Sequence, residues 1–539
     1  MPSSVATAEI ELKLAIDPGA AAATVAAVLR HPAVVACKRG RWHRAQVTNT
    51  YFDTPDWRLA EAGLALRLRR YGARWLQTVK GPPLAEAGGG MHARAEYEWP
   101  VAGAALDPSR LATTPWRRLL GEAIAGDLLA PRFTTDFERR TVALVFPDGT
   151  RGELCIDLGA IRVAGRPRQG VNARRQRAVI AEIEIELATG SAARLRELAL
   201  DLTRDLPLAV ATASKAERGF ALAHGHPDGW HVPLRAHAVP LAAQAAAPDA
   251  LRTIALDCLQ QIAANAPGLL ADADPEWVHQ MRIGTRRLRS CLALAARYLA
   301  AEAIEPLIAE QKWLAGALGA ARDWDVFATE TVPPFAAQFA ADPALAADIR
   351  RLRARIARQR TAARAAARAA VRSPRFQHLV LGVGALCSAP RHDAANPRDR
   401  AAGDDVPTVE AFARKRLERR HRRLLQRADA CTPGTREERH ALRIAAKKLR
   451  YAAEFFAALL QRKRARAYVD ALAGLQDVLG RGNDAVTAAR LVALVARGKD
   501  DRAATALRGW IAAQGAAAAP LLAPAWARFA RTRRFWTGD

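Results

Sequence analysis

The feature that most constrains the fold of this chain of 539 residues is a change in the periodicity of its apolar side chains near residue 248. Before that point, short runs such as EIELKL at 9–14 alternate charged with apolar side chains, which is the period of a β-strand. After it, the spacing is helical, and alanine and arginine dominate. The chain is also too long for one hydrophobic core. We therefore predict an α+β multidomain protein with an N-terminal antiparallel sheet or barrel and an all-helical C-terminal region.

Several predicted strands carry a single sign of charge along one face. Glu9 and Glu11 lie two residues apart, as do Arg67 and Arg69, so each pair shares a strand face. Like charges in line repel unless counter-ions lie among them, whereas the solvated face of an ordinary sheet, which is the alternative, mixes signs. Carboxylates supply the oxygen ligands that Mg²⁺ prefers, and basic side chains bind phosphate oxygens. The pattern therefore predicts a site for a metal-bound phosphate chain.

The net charge of +27 lies mainly in the helical region. Residues 1–250 carry 32 basic and 26 acidic side chains, and residues 251–539 carry 49 and 28. A field of this sign attracts nucleic acid, anionic membrane or polyphosphate, with a solvated basic surface as the alternative. Six widely spaced cysteines without a CxxC pair argue against a zinc knuckle or a disulfide framework. With no secretion signal and no apolar stretch of about 18 residues, we expect a cytoplasmic protein without membrane spans.

An internal repeat with a constant offset of 161 residues runs through the helical region. Spacings of 3, 4 and 3 residues place the repeated basic side chains on one helix face. Two similar helical bundles are predicted, and each basic stripe needs a polyanion or an opposed acidic face, unless it is only a solvated surface. The first copy contains His279, Arg282, Arg286 and Arg289, and the second contains His440, Arg443, Lys447 and Arg450.

The strand segments resemble the CYTH domain of triphosphate tunnel metalloenzymes. The family signature ExExK corresponds to Glu9, Glu11 and Lys13, and further landmarks follow in the family's order over residues 5–222. The resemblance implies an eight-stranded antiparallel tunnel that binds Mg²⁺ or Mn²⁺ and a triphosphate. The later landmarks are Arg67 and Arg69, Lys80 of QTVKG, RAEYEW with Arg94, FERR, Asp157 of CIDLG, AEIEIEL, and Lys215 of SKAERG.

The resemblance also implies a role for each matching position. Lys13 and Glu11 are expected to act in catalysis. Two alternatives stay open, namely whether Arg139 or Arg140 points inward, and which two of the glutamates 182, 184 and 186 reach the metal. The implied metal ligands are Glu9, Glu11, Asp157, Glu182 and Glu184. The implied triphosphate-binding residues are Lys13, Arg67, Arg69, Lys80, Arg94, Arg139 and Lys215.

The helical region is similar to the CHAD domain over residues 247–537. The resemblance rests on VHQMRIGTRRLR and LGAARDWDV and on their partial repeats RHALRIAAKKLR and LGRGNDAV. It implies two pseudosymmetric four-helix bundles with a basic groove for inorganic polyphosphate, and such binding favours association with polyphosphate granules. Residues 223–246 are predicted to be a linker, and 388–407 a disordered loop. The expected polyphosphate-binding residues are His279, Arg282, Arg286, Arg289, Arg360, Arg364, His440, Arg443, Lys447 and Arg450.

The function that fits both halves is metal-dependent hydrolysis of inorganic triphosphate to diphosphate and phosphate, beside a polyphosphate-binding module. Adenylate cyclase and thiamine triphosphatase activities remain alternatives in the same tunnel, although no aromatic platform for a base stands out. A non-catalytic polyphosphate-binding scaffold is the alternative from another class. Specific nucleic-acid binding has only the charge in its favour, because no helix-turn-helix, zinc or RNA-type motif is present.

Overall fold

The N-terminal region folds into a closed antiparallel barrel, as the sequence predicts. The structure, a computed structural model, describes residues 7–84, 88–163, 177–225, 232–389, 406–429, 435–460, 462–498 and 500–537. The strands pair in the order β5-β4-β3-β2-β6-β7-β8-β1, a further β1–β5 pairing closes the ring, and β9 pairs with the end of β1. They are β1 (Thr7–Ile16), β2 (Lys38–Asp53), β3 (Ala65–Tyr71), β4 (Arg74–Pro83), β5 (Met91–Val101), β6 (Ala130–Val145), β7 (Arg151–Val163), β8 (Arg177–Thr189) and β9 (Leu208–Val210).

Helices cover the outside of the barrel, where the apolar faces of the strands lie. Leu12 and Leu14 of β1 pack with Ile183 and Ile185 of β8 in one core cluster, and all four are fully buried. Burying such a side chain stabilises the fold by about 2 kcal/mol. The ionic faces of the same strands therefore point into the barrel. The helices of this region are α1 (Ala21–Arg30), α2 (Pro32–Cys37), α3 (Arg58–Glu61), α4 (Pro108–Leu111), α5 (Arg117–Ala125), α6 (Ala192–Asp205) and α7 (Lys215–Ala223).

Helix α7 enters the barrel at one end. Phe220 of α7 packs against Tyr51 and Phe133, which occupy the wall at that end. Ser214 caps the helix, and Glu217 completes a capping box. This packing fixes the first residue of the helix, Lys215, inside the barrel among the ionic side chains.

The C-terminal region is mostly helical, as predicted. The two copies of the repeat begin at corresponding positions, since Pro275 and Ala301 in the first copy match Arg436 and Arg462 in the second at the offset of 161. A π-helical turn at Phe327–Thr331 interrupts only the first copy. The helices are α8 (Ala247–Ala271), α9 (Pro275–Ala295), α10 (Ala301–Val326), α11 (Val332–Gln338), α12 (Pro343–Arg372), α13 (Pro374–Ser388), α14 (Val409–Asp429), α15 (Arg436–Phe456), α16 (Arg462–Val495), α17 (Arg502–Ala517) and α18 (Leu522–Ala530).

The chain forms two compact units, and each of them contains segments from separate parts of the sequence. The first contains the barrel and also residues 262–272 and 372–390, and the second contains 235–261, 273–371 and 391–539. Most of the predicted disordered loop, residues 390–405, lies outside the described residues, as do 226–231 of the predicted linker. Among the described helices, none is both long enough and apolar enough to cross a membrane.

Candidate functional sites

The barrel encloses a cavity of about 170 Å³ that is lined mainly by charged side chains. The alternation of the strands explains the lining, because every second residue of β1, β3 and β8 points inward. The structure brings all seven predicted triphosphate-binding cations into this lining. They are Lys13, Arg67, Arg69, Lys80, Arg94, Arg139 and Lys215.

Three buried carboxylates form a compact group at the wall of the cavity. Asp157 of β7 lies opposite Glu182 of β8 in the strand register, and Glu184 follows two residues later on the same face. One oxygen atom from each lies within 4.8 Å of the others. Oxygen ligands with compensating charge suit a hard divalent cation, so this donor set fits Mg²⁺ or Mn²⁺.

Lys215 provides the counter-charge for the carboxylate group. Its Nζ lies 2.7 Å from Asp157 Oδ2 and 2.9 Å from Glu184 Oε1, and it also contacts Glu182. Burial by itself lowers the pKa of Lys215, but the three carboxylates raise it above its ordinary value. The ammonium group thus occupies the centre of the group that a metal ion would enter.

Arg139 and Lys13 complete the charge network around Glu184. Arg139 binds Asp157 through two hydrogen bonds, Nε–Oδ1 at 2.8 Å and Nη2–Oδ2 at 2.6 Å, and also contacts Glu184. Lys13 contacts Glu184 and lies 2.7 Å from Glu11. Burial tends to raise the pKa of Glu184, yet Lys13, Lys215 and Arg139 hold it well below its ordinary value. Glu184 is therefore ionised at neutral pH.

Glu9 and Glu11 do not join the carboxylate group, although the resemblance implies that all five carboxylates bind metal. Glu9 contacts Lys80, and Glu11 contacts Lys13. Glu186 lies opposite Glu11 in the β1–β8 pair, and burial followed by the charges of Glu9 and Glu11 raises its pKa to about 7. The described residues thus contain a second acidic cluster on the β1 side of the cavity.

The other cations line the cavity around the β3, β4 and β5 strands. Arg67 lies 3.3 Å from Glu96, and Arg69 donates to the Asn49 side chain at 2.9 Å. Burial, with Arg67 and Arg139 beside it, lowers the pKa of Arg69. Arg94 contacts Glu217 of α7. Each of these cations thus has a polar partner on a neighbouring segment.

The sequence left open whether Arg139 or Arg140 points inward and which two of the glutamates 182, 184 and 186 reach the metal, and the structure places these residues differently. Arg139 lines the cavity, whereas Arg140 donates to Glu138 at 2.9 Å and is not among the described lining residues. Glu182 and Glu184 belong to the carboxylate group with Asp157, and Glu186 lies outside it.

A second cavity, of about 670 Å³, lies between helices of the repeat in the second compact unit. Corresponding faces of α9 and α15 meet there, so both basic stripes contribute to it. Arg286 and Lys447 have no carboxylate within ion-pair distance among the described residues. The predicted residues that line this cavity are His279, Arg282, Arg286, Arg443, Lys447 and Arg450.

Positive charge is concentrated in this second cavity. Burial, followed by the charges of neighbouring arginines, lowers the pKa of Lys447 to about 7. The same causes lower the pKa of Arg282 to about 10. Two acids related by the repeat, Asp323 and Asp484, offset part of this charge, and Asp323 lies 3.5 Å from Arg282. Glu330 and Asp477 also line the cavity, so four carboxylates face six cations among its described lining residues.

Comparison with known proteins identifies both regions. Residues 7–220 match the family model of the CYTH domain, and residues 253–493 match that of the CHAD domain. The chain contains a CYTH domain followed by a CHAD domain. The chain is similar to the inorganic triphosphatase of Haemophilus influenzae, with 31% identity over 216 residues. That match covers 40% of this chain and 54% of the relative, which is about half of its length.

Solved structures also resemble parts of the chain. The CHAD domain from the plant Ricinus communis is 35% identical and aligns over 56% of this chain and 98% of its own, with a TM-score of 0.49. PptA from Streptomyces chartreusis is 21% identical and aligns over 53% of this chain and 98% of its own, with a TM-score of 0.37.

Four predicted residues of the CHAD domain are not among those lining its cavity. Arg289 and His440 are exposed. Arg360 pairs with Asp325 at 2.6 Å, and Arg364 donates to the carbonyl oxygens of residues 273 and 274. Helical spacing places a residue on a face, but it does not identify the neighbour that the face contacts.

Sequence reasoning missed several residues of both sites. In the CYTH domain, Arg218 lies 3.0 Å from Glu182. Its position three residues after Lys215 on one helix was the available signal. In the CHAD domain, Arg322 and Tyr451 line the cavity. Each adjoins a repeated landmark, but neither recurs at the offset of 161 as a residue of the same type.

Proposed function

We propose that the CYTH domain hydrolyses inorganic triphosphate to diphosphate and phosphate with Mg²⁺ or Mn²⁺, and that the CHAD domain binds longer polyphosphate. The charge balance of the tunnel carries this proposal. Seven cationic and six acidic side chains line the described part of the cavity, and Asp157 and Glu182 add two more carboxylates through Lys215. Arg218 contacts Glu182 in turn, so eight carboxylates face eight cations, and a multiply charged phosphate chain needs accompanying cations to bind there.

Asp157, Glu182 and Glu184 are the residues that would hold the divalent cation. Their oxygen donors and close spacing suit Mg²⁺ or Mn²⁺. A cation bound there supplies charge neutralisation at the phosphoryl group under attack. Lys215 would then leave the centre of the carboxylate group, and its ammonium group would become available to a phosphate oxygen.

The chain's own side chains bind and orient the substrate. Lys13 would exchange Glu184 for a phosphate oxygen, and Arg139 keeps Asp157 in position through its two hydrogen bonds. We assign Glu11, which faces the same cavity beside Lys13, to orienting the attacking water. Ser214 also lines the cavity, but its hydroxyl oxygen caps α7. Water is therefore the expected nucleophile, and catalysis rests on electrostatic positioning.

The decisive experiment measures phosphate release from tripolyphosphate, ATP and thiamine triphosphate in EDTA, Mg²⁺ or Mn²⁺. We expect tripolyphosphate to be the best substrate and EDTA to abolish its hydrolysis. Asp157→Asn should remove activity, whereas Glu138→Gln, which changes a carboxylate that is not part of the described cavity lining, should retain it. Diphosphate and cyclic AMP from ATP would instead identify an adenylate cyclase, and full activity in EDTA would contradict the proposal.

Two cations that line the cavity of the CHAD domain, Arg286 and Lys447, support polyphosphate binding there. Neither of them forms an ion pair with a described carboxylate. A thin single chain can reach both stripes inside the cavity, whereas a DNA duplex is too wide to enter it and must stay at the surface. We expect tight binding of long-chain polyphosphate that weakens steeply with salt. Equal affinity for duplex DNA would show that the stripes are only a basic surface.

A further inference from the structure

Helix α13 lies within the CHAD segment of the sequence but belongs to the compact unit that contains the CYTH barrel. It packs along α6. Leu381 of α13 is fully buried in the same core cluster as Leu12 and Leu14 of β1. A helix that is contributed by one domain of the sequence thus completes the core of the other.

Arg196 of α6 is the most deeply buried cation at this contact, with 1% of its surface exposed. No described carboxylate pairs with it. Its Nη2 donates to the carbonyl oxygen of Gly88 at 2.7 Å, and its Nη1 donates to that of Gly89 at 3.4 Å. Burial lowers its pKa to about 10. The guanidinium therefore serves to hold the turn before β5.

Gly384 of α13 makes room for this guanidinium. A Cβ atom at residue 384 would lie 2.1 Å from Arg196 Nη1 and 2.6 Å from Cζ. Atoms cannot approach that closely, so any side chain here must displace Arg196. The glycine thus couples the position of α13 to the turn that Arg196 holds.

The turn at residues 88–90, which Arg196 holds, is itself hydrogen-bonded to Lys13, the lysine of the ExExK signature. Gly90 follows the two carbonyls bound by Arg196, and its φ of +85° favours glycine. The carbonyl oxygen of Gly90 accepts a hydrogen bond from the backbone N–H of Lys13 at 3.3 Å. A shift of the turn therefore moves the backbone of a residue that binds substrate in the proposed function.

A second connection from α13 reaches the same residue from the other side. The Gln377 side-chain oxygen accepts a hydrogen bond from the Val210 N–H at 2.8 Å. The next residue, Ala211, donates its N–H to the Lys13 carbonyl oxygen at 2.9 Å. The N–H of Lys13 thus binds the turn that Arg196 of α6 holds, and its carbonyl oxygen binds the segment that Gln377 of α13 holds.

We propose that α13 is a positioning element for the triphosphatase reaction, acting on the backbone of Lys13 through Arg196 and Gln377. The inference rests on the proposed function of the tunnel. Its physical basis is that displacing a catalytic group by about 1 Å costs up to about 100-fold in rate. Arg196, Gln377 and Gly384 are not among the described residues that line the cavity. Arg196 and Gln377 are therefore positioning residues rather than catalytic ones.

The test compares Gly384→Ala with Gly316→Ala in the full-length protein. Residue 316 lies in α10, and a Cβ there meets no atom within 4 Å, so it is a matched helical control. We expect Gly384→Ala to lower kcat for tripolyphosphate about tenfold with little change in KM. Hydrogen exchange of the Lys13 amide should accelerate in the same variant, and Gly316→Ala should match the wild type in both measurements.

A double-mutant cycle with Arg196→Met separates positioning from general destabilisation. If Gly384 acts through Arg196, adding Gly384→Ala to Arg196→Met should lower kcat no further. Gln377→Met offers an independent variant in which exchange of the Ala211 amide, which donates to the Lys13 carbonyl oxygen, should accelerate. Wild-type exchange of the Lys13 amide in Gly384→Ala, together with wild-type exchange of the Ala211 amide in Gln377→Met, would overturn the inference. Because exchange needs no substrate, an inactive wild-type tunnel would contradict the proposed function without deciding the role of α13.

Discussion

Replacing Lys215 by methionine should make the stability of the CYTH domain depend on divalent cations. The lysine side chain is 8% exposed and its ammonium group contacts three carboxylates, of which Asp157 is fully buried. Methionine keeps an unbranched apolar side chain but removes the charge. Asp157, Glu182 and Glu184 would then repel one another unless a cation replaced the ammonium group.

The structure sets the expected size of the effect. Removing one partner of a buried ion pair costs about 3–5 kcal/mol. Arg139 still contacts Asp157 and Glu184, and Arg218 still contacts Glu182, so we expect the lower end, about 3 kcal/mol. For a domain of about 150–250 residues, that loss lowers Tm by roughly 6–12 °C. Mg²⁺ at about 100 times its Kd contributes about 2.7 kcal/mol and should restore most of it.

The assay is thermal unfolding followed by circular dichroism, in EDTA and in increasing MgCl₂. Wild-type protein should gain less from Mg²⁺ than Lys215→Met, because the ion must displace the ammonium group. Arg218→Met is the matched control, since Arg218 contacts Glu182 at 3.0 Å but is 29% exposed and should contribute at most about 1 kcal/mol. A Lys215→Met variant that unfolds at the wild-type temperature in EDTA, or that gains nothing from Mg²⁺, would refute this reasoning.

Three further predictions concern the two cavities. Changing Glu9 and Glu11 together to glutamine should lower phosphate release from tripolyphosphate by about 100-fold while circular dichroism shows a folded chain, and activity within twofold of the wild type would contradict a role for both. Changing Arg286 and Arg443 to glutamine should reduce the slope of log affinity for polyphosphate against log salt by roughly 1.4, at about 0.7 per phosphate contact, with tripolyphosphate hydrolysis unchanged. Since burial and nearby arginines lower the pKa of Lys447 to about 7, its charged form is lost as pH rises from 6 to 8, and bound phosphate raises that pKa again. Polyphosphate affinity, measured by titration calorimetry at pH 6 and pH 8, should therefore fall by up to about tenfold over that interval. In Lys447→Met the affinity should be the same at both pH values.

The sequence alone determined the strands, their two faces and the helical repeat. Period-two alternation places Glu9, Glu11 and Lys13 on one face because successive side chains of a strand point to opposite sides, whatever the strand contacts. Charge cannot be buried in an apolar core, so the ionic face had to line a cavity or meet solvent. The offset of 161 residues likewise fixed matching helix starts in the two copies, at Pro275 and at Arg436.

Only the tertiary structure decided which of these groups meet. Lys215 lies among carboxylates 31 to 58 residues away in the chain because α7 turns into the barrel, and no local pattern specifies that position. Glu9 pairs with Lys80 instead of joining Asp157. Helix α13 has an ordinary helical pattern, yet it completes the core of a barrel more than 150 residues earlier in the chain. Local periodicity predicts whether a segment is a helix or a strand and which of its faces is polar. Which other segment that face contacts depends on long-range packing, which the whole chain determines.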